Sequence, residues 1–444
     1  MHFLEYGQIK KRGRIRIALV YPNLYRAGSA SLSMHFIYNL ANAHPSFSAE
    51  RFFSDFTKSV ETASPLRDFD IIAFFLSFEE DFFNVHSILA EINRKEKLII
   101  AGGICTLNPY PLSPAIDIFF LGDGEESFCE FLDIYAGLDD PKREKEAFES
   151  IAGVFIPGIM ERSVRRTSPL SFHPTCQPIQ HGDYPTSFEK SLMVEISRGC
   201  SRFCKFCLVS HCQGVRRERE VGEIERIVQD AEKRTKFSRI ALIASDSHSH
   251  LKRIIEGVRH PVSLPSLKIE DIDEELLESL DLRTLTIAPE TGETQRFRLN
   301  KRVSDDTIFE KIESAKRHVK ILKVYLLFGL PGESEKDISE TIALAKKFSK
   351  VMKTKFSINA FIPKPHTPFE DHVFDVEEVK RKGKVIRKEL GVDVENPYHD
   401  FVQWCLSVGD ERVFGMLSRK KAREWYKVFK DADFKKRYES ISLG

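Results

Sequence analysis

Three cysteines fall within eight residues, Cys200-Ser-Arg-Phe-Cys204-Lys-Phe-Cys207, and this crowding is the most informative feature of the sequence. The C-x3-C-x2-C spacing lets three thiolates face one inorganic centre from a single short loop. A [4Fe–4S] cluster usually takes four cysteines, so three leave one iron open to an outside ligand. Zinc competes for the same residues. It wants a fourth protein ligand, and His211 or Cys212 is near enough in sequence to supply one. The remaining cysteines, Cys105, Cys129, Cys176, Cys212 and Cys405, are scattered and do not form a disulfide framework at a length of 444 residues.

The loop directly follows an apolar run at residues 193–196. From there six strand-like runs alternate with helical patterns. The strands are expected at 193–196, 239–243, 262–264, 284–287, 323–328 and 356–361, and the helices at 222–235, 251–259, 272–280, 305–318 and 335–351. That alternation predicts a partial (β/α)6 barrel over 189–371, with chemistry at the carboxyl ends of its strands. Upstream, apolar runs at 14–21, 70–76, 98–103 and 116–121 alternate with helical patterns at 29–43 and 84–96. They predict a Rossmann-like parallel sheet domain over 10–150. A connector over 151–188 carries Pro157, Pro169, Pro174, Pro178 and Pro185 around a short β-like piece, Gly153-Val-Phe-Ile156. The fold class is therefore α/β, closed by a basic helical C-terminal extension at 372–444. Between Arg412 and Arg437 that extension has ten Lys/Arg and three Asp/Glu. Its Trp404, Trp425, Tyr426, Phe429 and Phe434 suggest an amphipathic cap over the barrel rather than an RNA-binding arm.

Composition narrows the function classes. Lys+Arg 67 against Asp+Glu 66 leaves a net charge of +1, so global charge points to no polyanionic partner. Apolar runs stop well short of the ~20 residues that span a bilayer. The segment Met1–Gly13 lacks an apolar signal core. A cytoplasmic protein without a membrane partner is expected.

The cysteine loop, with Phe206 before its last cysteine and a six-strand βα series behind it, resembles the radical S-adenosylmethionine (radical SAM) superfamily. Further segments resemble the subgroup with an N-terminal cobalamin-binding-type domain: Val194-Glu-Ile-Ser-Arg-Gly-Cys200, Val215-Arg-Arg-Glu-Arg219, Ser263-Leu-Pro-Ser266, Ile287-Ala-Pro-Glu-Thr-Gly292, Phe328-Gly-Leu-Pro-Gly-Glu333, Phe361-Ile-Pro-Lys-Pro-His-Thr-Pro-Phe369 and Gln403-Trp-Cys-Leu-Ser-Val-Gly-Asp-Glu-Arg412. The resemblance implies that Cys200, Cys204 and Cys207 hold a [4Fe–4S] cluster whose open iron chelates SAM. It implies reductive cleavage of SAM to a 5′-deoxyadenosyl radical, with electrons from a donor such as ferredoxin or flavodoxin. The substrate is left open as a small molecule, a protein or an RNA. Gly329, Gly332 and Ile362 are expected to pack against SAM, Glu290 to bond its ribose, and Asp246 to replace the family's usual Gly-Gly-Glu contact. Arg216, Arg217 and Arg219 are either ligands to SAM or substrate or a solvated run.

Cobalamin-binding domains commonly carry D-x-H-x-x-G after the first strand, then a serine at a strand end, then Gly-Gly. Here Asn23-Leu-Tyr25-Arg-Ala-Gly28, Ser77 and Gly102-Gly103 sit in the same register, with tyrosine where the cobalt-ligating histidine would be. A phenol titrates near ~10 and is a poor replacement ligand. The expected state is base-off cobalamin without a histidine ligand, its nucleotide tail held at the glycines. His35 reads as an ordinary helix-face histidine. With cobalamin, methyl transfer to carbon is the leading outcome; without it, another radical modification. Two rivals remain. One is a methylthiotransferase acting on RNA or protein, which needs a second cluster on three N-terminal cysteines where this chain offers Cys105 and Cys129. The other is a zinc-bearing binding module.

Overall fold

The computed structural model describes residues 2–160, 164–168, 173–174, 176–264, 267–280, 282–417, 422–434 and 441–442. Pro169, the end of the Ser263–Ser266 segment and two stretches of the basic tail, 418–421 and 435–440, lie outside the described residues. Contacts divide the chain into two compact units. The first holds Met1–Val194, Arg226–Ser238 and Cys405–Gly444; the second holds Glu195–Glu225 and Arg239–Trp404.

The first unit is built on a six-stranded sheet. Its strands are β1 (Ile15–Tyr21), β2 (Phe47–Phe53), β3 (Ile71–Phe75), β4 (Leu98–Gly102), β5 (Ile118–Phe120) and β6 (Val154–Phe155), in spatial order β2-β1-β3-β4-β5-β6. The first five are parallel and β6 runs antiparallel to β5. Helices Leu32–Ala43, Asp81–Ala90 and Glu125–Gly137 lie between the strands in sequence. The residues of β3 are buried throughout, as in parallel sheets covered on both faces. Strand order 2-1-3-4-5 reverses between β1 and β3, and such a reversal opens a ligand crevice beyond their carboxyl ends.

Strand β2 was not expected, because Ser48, Glu50 and Arg51 interrupt its apolar pattern. All three are buried. Arg51 is fully enclosed and pairs with both Glu5 (2.5 Å) and Glu61 (2.7 Å). Glu50 accepts hydrogen bonds from Ser59 and Thr62 and pairs with Arg16. The N-terminal residues belong to the fold as well, since Glu5–Tyr6 pairs antiparallel with Ile179–Gln180 of the connector.

The tail differs from the expected barrel cap. From Cys405 it packs within the first unit. Trp425 stacks on Phe83 at 3.6 Å between centroids, Phe414 lies against His86, and the Asn108 amide donates to the carbonyls of Ser407 and Gly409.

The second unit contains the six expected strands in two sheets. The first comprises β7 (Ser191–Arg198, of the second unit from Glu195), β8 (Arg217–Glu218), β9 (Arg239–Ala244) and β10 (Val262–Ser263), ordered β8-β7-β9-β10. The second is the parallel set β11 (Thr284–Glu290), β12 (Ile321–Phe328) and β13 (Thr354–Ala360). The added strand β8 runs antiparallel to β7. Helix Glu335–Val351 follows β12 and starts in a capping box between Ser334 and Asp337, which satisfies two of its orphan N–H groups.

Candidate active site

The cysteine loop begins where β7 ends. Gly199 has φ +83°, and a Cβ there would sit 2.6 Å from the Val215 carbonyl oxygen, so only glycine fits. Cys204 is buried, while Cys200 and Cys207 are half-buried. The Cys207 N–H donates to the Cys204 carbonyl (3.0 Å), and the Ser210 hydroxyl donates to the Cys207 carbonyl (2.9 Å). Burial pushes the Cys204 thiol up to about 11. The positive charges of Lys301 and Arg202 pull it down, and the thiolate charges of Cys207 and Cys200 push it up, so both of those sulfurs lie within electrostatic reach of the Cys204 sulfur. Metal coordination would displace the proton that burial favours.

Neighbouring segments hold this loop by its backbone. The Lys205 N–H donates to the Leu299 carbonyl at 3.0 Å. Asn300, itself at φ +61°, donates its amide to the carbonyls of Arg202 (2.7 Å) and Phe203 (3.3 Å). Ser201 donates both its N–H and its hydroxyl to Asp246, beyond the end of β9. Phe206 packs on Leu299, Leu330 and Phe361, bringing the loop against the ends of β12 and β13. None of these contacts uses a cysteine side chain.

The predicted SAM residues gather around the same strand ends. Asp246 is buried, and both its carboxylate oxygens are engaged, one by Ser201 and the other by Lys268 and the Ser247 N–H. Burial raises its pKa, but the Lys268 and Ser201 hydrogen bonds outweigh burial and hold it below the usual carboxylate range. Glu290 ends β11 at a register shift, with φ +68°. Left-handed backbone costs a non-glycine residue roughly 1–2 kcal/mol. The buried Arg296 holds it there, donating to the carbonyls of Pro289 and Thr291 on either side. The Glu290 carboxylate meets Lys301 at 2.8 Å, and the Lys301 ammonium lies 5.9 Å from the centre of the Phe206 ring. Gly329 and Gly332 both have positive φ (+74° and +68°). They border a cavity of about 270 Å³ together with Leu330, Glu333 and Phe361. Glu333 is buried, accepts from the Gly329 N–H (2.7 Å) and pairs with Lys382 (3.0 Å), while its Oε1 has no partner. Ile362 is half-buried just past β13.

The arginine run is neither solvated nor free. Arg216 bonds Glu218 and Ser249, Arg217 donates to the Gln213 carbonyl, and Arg219 donates to Glu195 and Glu223. His211 and Cys212, near enough in sequence to supply a fourth zinc ligand, both lie in the short helix that follows the cysteine loop. A ring nitrogen of His211 faces the Cys204 carbonyl at 3.2 Å, and Cys212 is buried in the short helix Leu208–Cys212. Lys301, Lys268 and Asn300 were not foreseen. The readable signal was an Asn-Lys pair just past the Glu290 segment.

In the first unit, Tyr25 is almost fully buried. Its phenol donates to Glu5 at 2.5 Å, and the rings of Phe3, Phe53, Phe56 and Tyr184 surround it. Burial and then the Glu5 charge push the phenol well above its ordinary value. Gly28 faces Phe53, whose ring a Cβ would approach to 2.4 Å, and Gly103 at φ +116° faces the Leu76 backbone at 2.5 Å. His35 is enclosed, pushed down to about 4 by burial, and its Nε2 faces the Ser29 carbonyl. Asn23, Ser77 and Gly102 lie at the carboxyl ends of the strands Ile15–Tyr21, Ile71–Phe75 and Leu98–Gly102. There Asn23 donates to Asp81 (2.7 Å), and burial pushes Asp81 up to about 7.

A loop of three cysteines at a strand's carboxyl end, on a parallel α/β scaffold, is a layout that suits an enzyme carrying an inorganic centre. Residues 194–345 match the radical SAM superfamily model, and residues 33–157 match the model for the N-terminal region of radical SAM proteins. An uncharacterized protein of Methanocaldococcus jannaschii is 31% identical over 428 residues, covering 91% of each chain. The chain belongs to the radical SAM superfamily. A tRNA-2-methylthio-N(6)-dimethylallyladenosine synthase of Finegoldia magna is 26% identical over 46% of this chain and 48% of its own, so the chain matches about half that relative's length. Among solved structures, the radical SAM methyltransferase TsrM of Kitasatospora setae, with cobalamin and a [4Fe–4S] cluster bound, superposes with a TM-score of 0.58 at 16% identity, covering 83% of this chain and 78% of that one. The cobalamin-dependent SAM radical enzyme OxsB superposes with a TM-score of 0.52 at 12% identity, covering 85% and 62%. Likeness at this identity speaks to the fold. Among the described residues, no helix is long and apolar enough to cross a membrane.

Proposed function

We propose that Cys200, Cys204 and Cys207 hold a [4Fe–4S] cluster with one iron left for SAM, and that the first unit holds a corrinoid for methyl transfer to carbon. One observation carries the first part: the loop is tied by its backbone at Ser201, Arg202, Phe203 and Lys205, which leaves the three thiols free to ligate. When bound, the cluster supplies the single electron that cleaves SAM, delivered by a low-potential donor such as a ferredoxin or flavodoxin.

The chain's own residues then orient SAM. Lys301, beside Cys204 and Glu290, holds the SAM carboxylate. Glu290, kept at positive φ by Arg296, faces the ribose hydroxyls. The cavity bordered by Gly329, Gly332 and Phe361 takes the adenosyl portion, and Ile362 lies next in sequence to Phe361. Asp246 serves the cluster loop in this reading, because Ser201 and Lys268 occupy it.

The corrinoid part rests on the switch point of the first sheet. Asn23, Ser77 and Gly102 stand at the edge where a flat ligand would lie, and Asp81 offers a buried oxygen without a partner. Tyr25 is no cobalt ligand here, since its proton is held in the bond to Glu5. Methylthio transfer is less favoured: Cys105 sits in the turn after β4 and Cys129 in helix Glu125–Gly137, two thiols where a second cluster needs three.

The test is anaerobic reconstitution followed by reduction with SAM. Wild-type protein should release 5′-deoxyadenosine, and Cys204→Ala should release none. A Cys204→Ala protein that still releases it would overturn the ligand assignment.

A further inference from the structure

We infer that the first unit recognises a corrin ring and takes no account of the nucleotide tail that cobalamin carries. The inference rests on the corrinoid reading above and adds a specificity to it. Two parts of the first unit carry it, one filled and one open.

The filled part surrounds Tyr25. The phenol is bonded to Glu5, and Glu5 in turn pairs with the enclosed Arg51. Four aromatic rings close around it, and the cavity beside it measures about 20 Å³. That is room for about one water molecule, not for a heteroaromatic base. Gly28, which the sequence pattern offers as a place for close ligand approach, is already approached by Phe53.

The open part is the switch point between β1 and β3. Leu24 and Phe78, one on each loop leaving those strands, are 53% and 51% exposed. Large apolar side chains so exposed, on both sides of a crevice, favour a broad apolar ligand face. Asp81 lies between these loops in the bonding pattern. Its Oδ1 accepts from Asn23, and its buried Oδ2 has no partner. An orphaned buried oxygen is costly and is satisfied by a hydrogen-bonding group on a ligand. At Gly102 the position a Cβ would take lies 3.8 Å from Phe120, ordinary contact with no clash, so the strand end is less tightly closed there than at Gly28 or Gly103. A corrin ring is flat, apolar across its face and fringed with primary amides, whose N–H groups suit the Asp81 oxygen. Around Tyr25 the described residues leave the nucleotide tail no comparable place.

Equilibrium dialysis of the full-length, cluster-loaded protein against cobalamin and against cobinamide, the corrin without its nucleotide tail, tests this. The expected result is dissociation constants within about threefold of each other. Asp81→Ala should weaken both by tenfold or more, and Tyr25→Phe should weaken neither. Cobalamin binding more than tenfold tighter than cobinamide would overturn the inference while leaving the corrinoid reading intact. So would an Asp81→Ala protein, shown folded by its urea midpoint, with unchanged affinities. Failure to bind either corrinoid would remove the corrinoid reading and the inference with it.

Discussion

Two loops in this molecule follow the first strand of a parallel α/β series, and they treat their reactive side chains in opposite ways. After β1, the Asn23–Gly28 turn directs Tyr25 inward, where its hydroxyl donates to Glu5 and four rings enclose it. After β7, the Gly199–Cys207 loop is fixed through its carbonyls, its N–H groups and Ser201, and the side chains of its cysteines make none of those contacts. Side chains used up in internal hydrogen bonds serve the fold. Side chains spared while the backbone around them is tied are available to a cofactor. The same family-like register therefore has a structural meaning in one loop and a chemical one in the other.

The comparison breaks most visibly at the cysteines. Replacing Cys200, Cys204 or Cys207 with Ala should remove iron, sulfide and the broad absorbance near ~400 nm, because each thiolate is a cluster ligand. Cys212→Ala should keep all three. Iron retained in a Cys207→Ala protein would show that the loop is not the cluster site.

On the other side, Arg51→Met should strike the buried turn alone. It leaves Glu5 and Glu61 enclosed without their counter-charge, a loss of roughly 3–5 kcal/mol. Urea unfolding measures it, and iron content per folded protein should not change. A loss below about 1 kcal/mol would mean the network is not what fixes Tyr25.

A carboxyl near the switch point separates the two regions by pH. Burial holds Asp81 at about 7 in the folded protein, against ~3.9 unfolded. The folded state therefore binds the proton more tightly, and the stability this confers is full below the unfolded pKa and is lost as pH rises through about 7. Asp81→Asn should flatten the fall in unfolding free energy between pH 5 and pH 8 by about 2 kcal/mol in cofactor-free protein. An unchanged pH profile would place the titration elsewhere.

The smallest effect is expected at Glu290. Glu290→Gln keeps the shape and removes the charge, which should weaken SAM binding about tenfold, the scale of one charge-assisted hydrogen bond. Iron content should stay the same. An unchanged SAM affinity would make Glu290 simply the partner that holds Lys301.

Much of this was legible in the sequence. The cysteine spacing is local, and the strands of the second unit show as apolar or alternating runs between helical patterns, so both could be read directly. What escaped depends on partners distant in sequence. Strand β2 looks too polar because Arg51 is neutralised by Glu5, 46 residues away, and Glu61, 10 away. Asp246 reads as a free carboxylate until Ser201 and Lys268 are seen on it. Lys301 gains its place only when the turn after β11 brings it to Glu290. The tail's aromatic residues correctly signal a packed face, but no pattern within the tail shows that its partners include Phe83 and His86.

The central claim is that three cysteines leave one iron for SAM. Low-temperature electron paramagnetic resonance of the reduced, reconstituted protein tests it directly, recorded before and after SAM is added. A [4Fe–4S] signal whose g-values shift on addition of SAM is the predicted result. A signal that SAM does not alter, or a folded protein that takes up zinc in place of iron and sulfide, would contradict it.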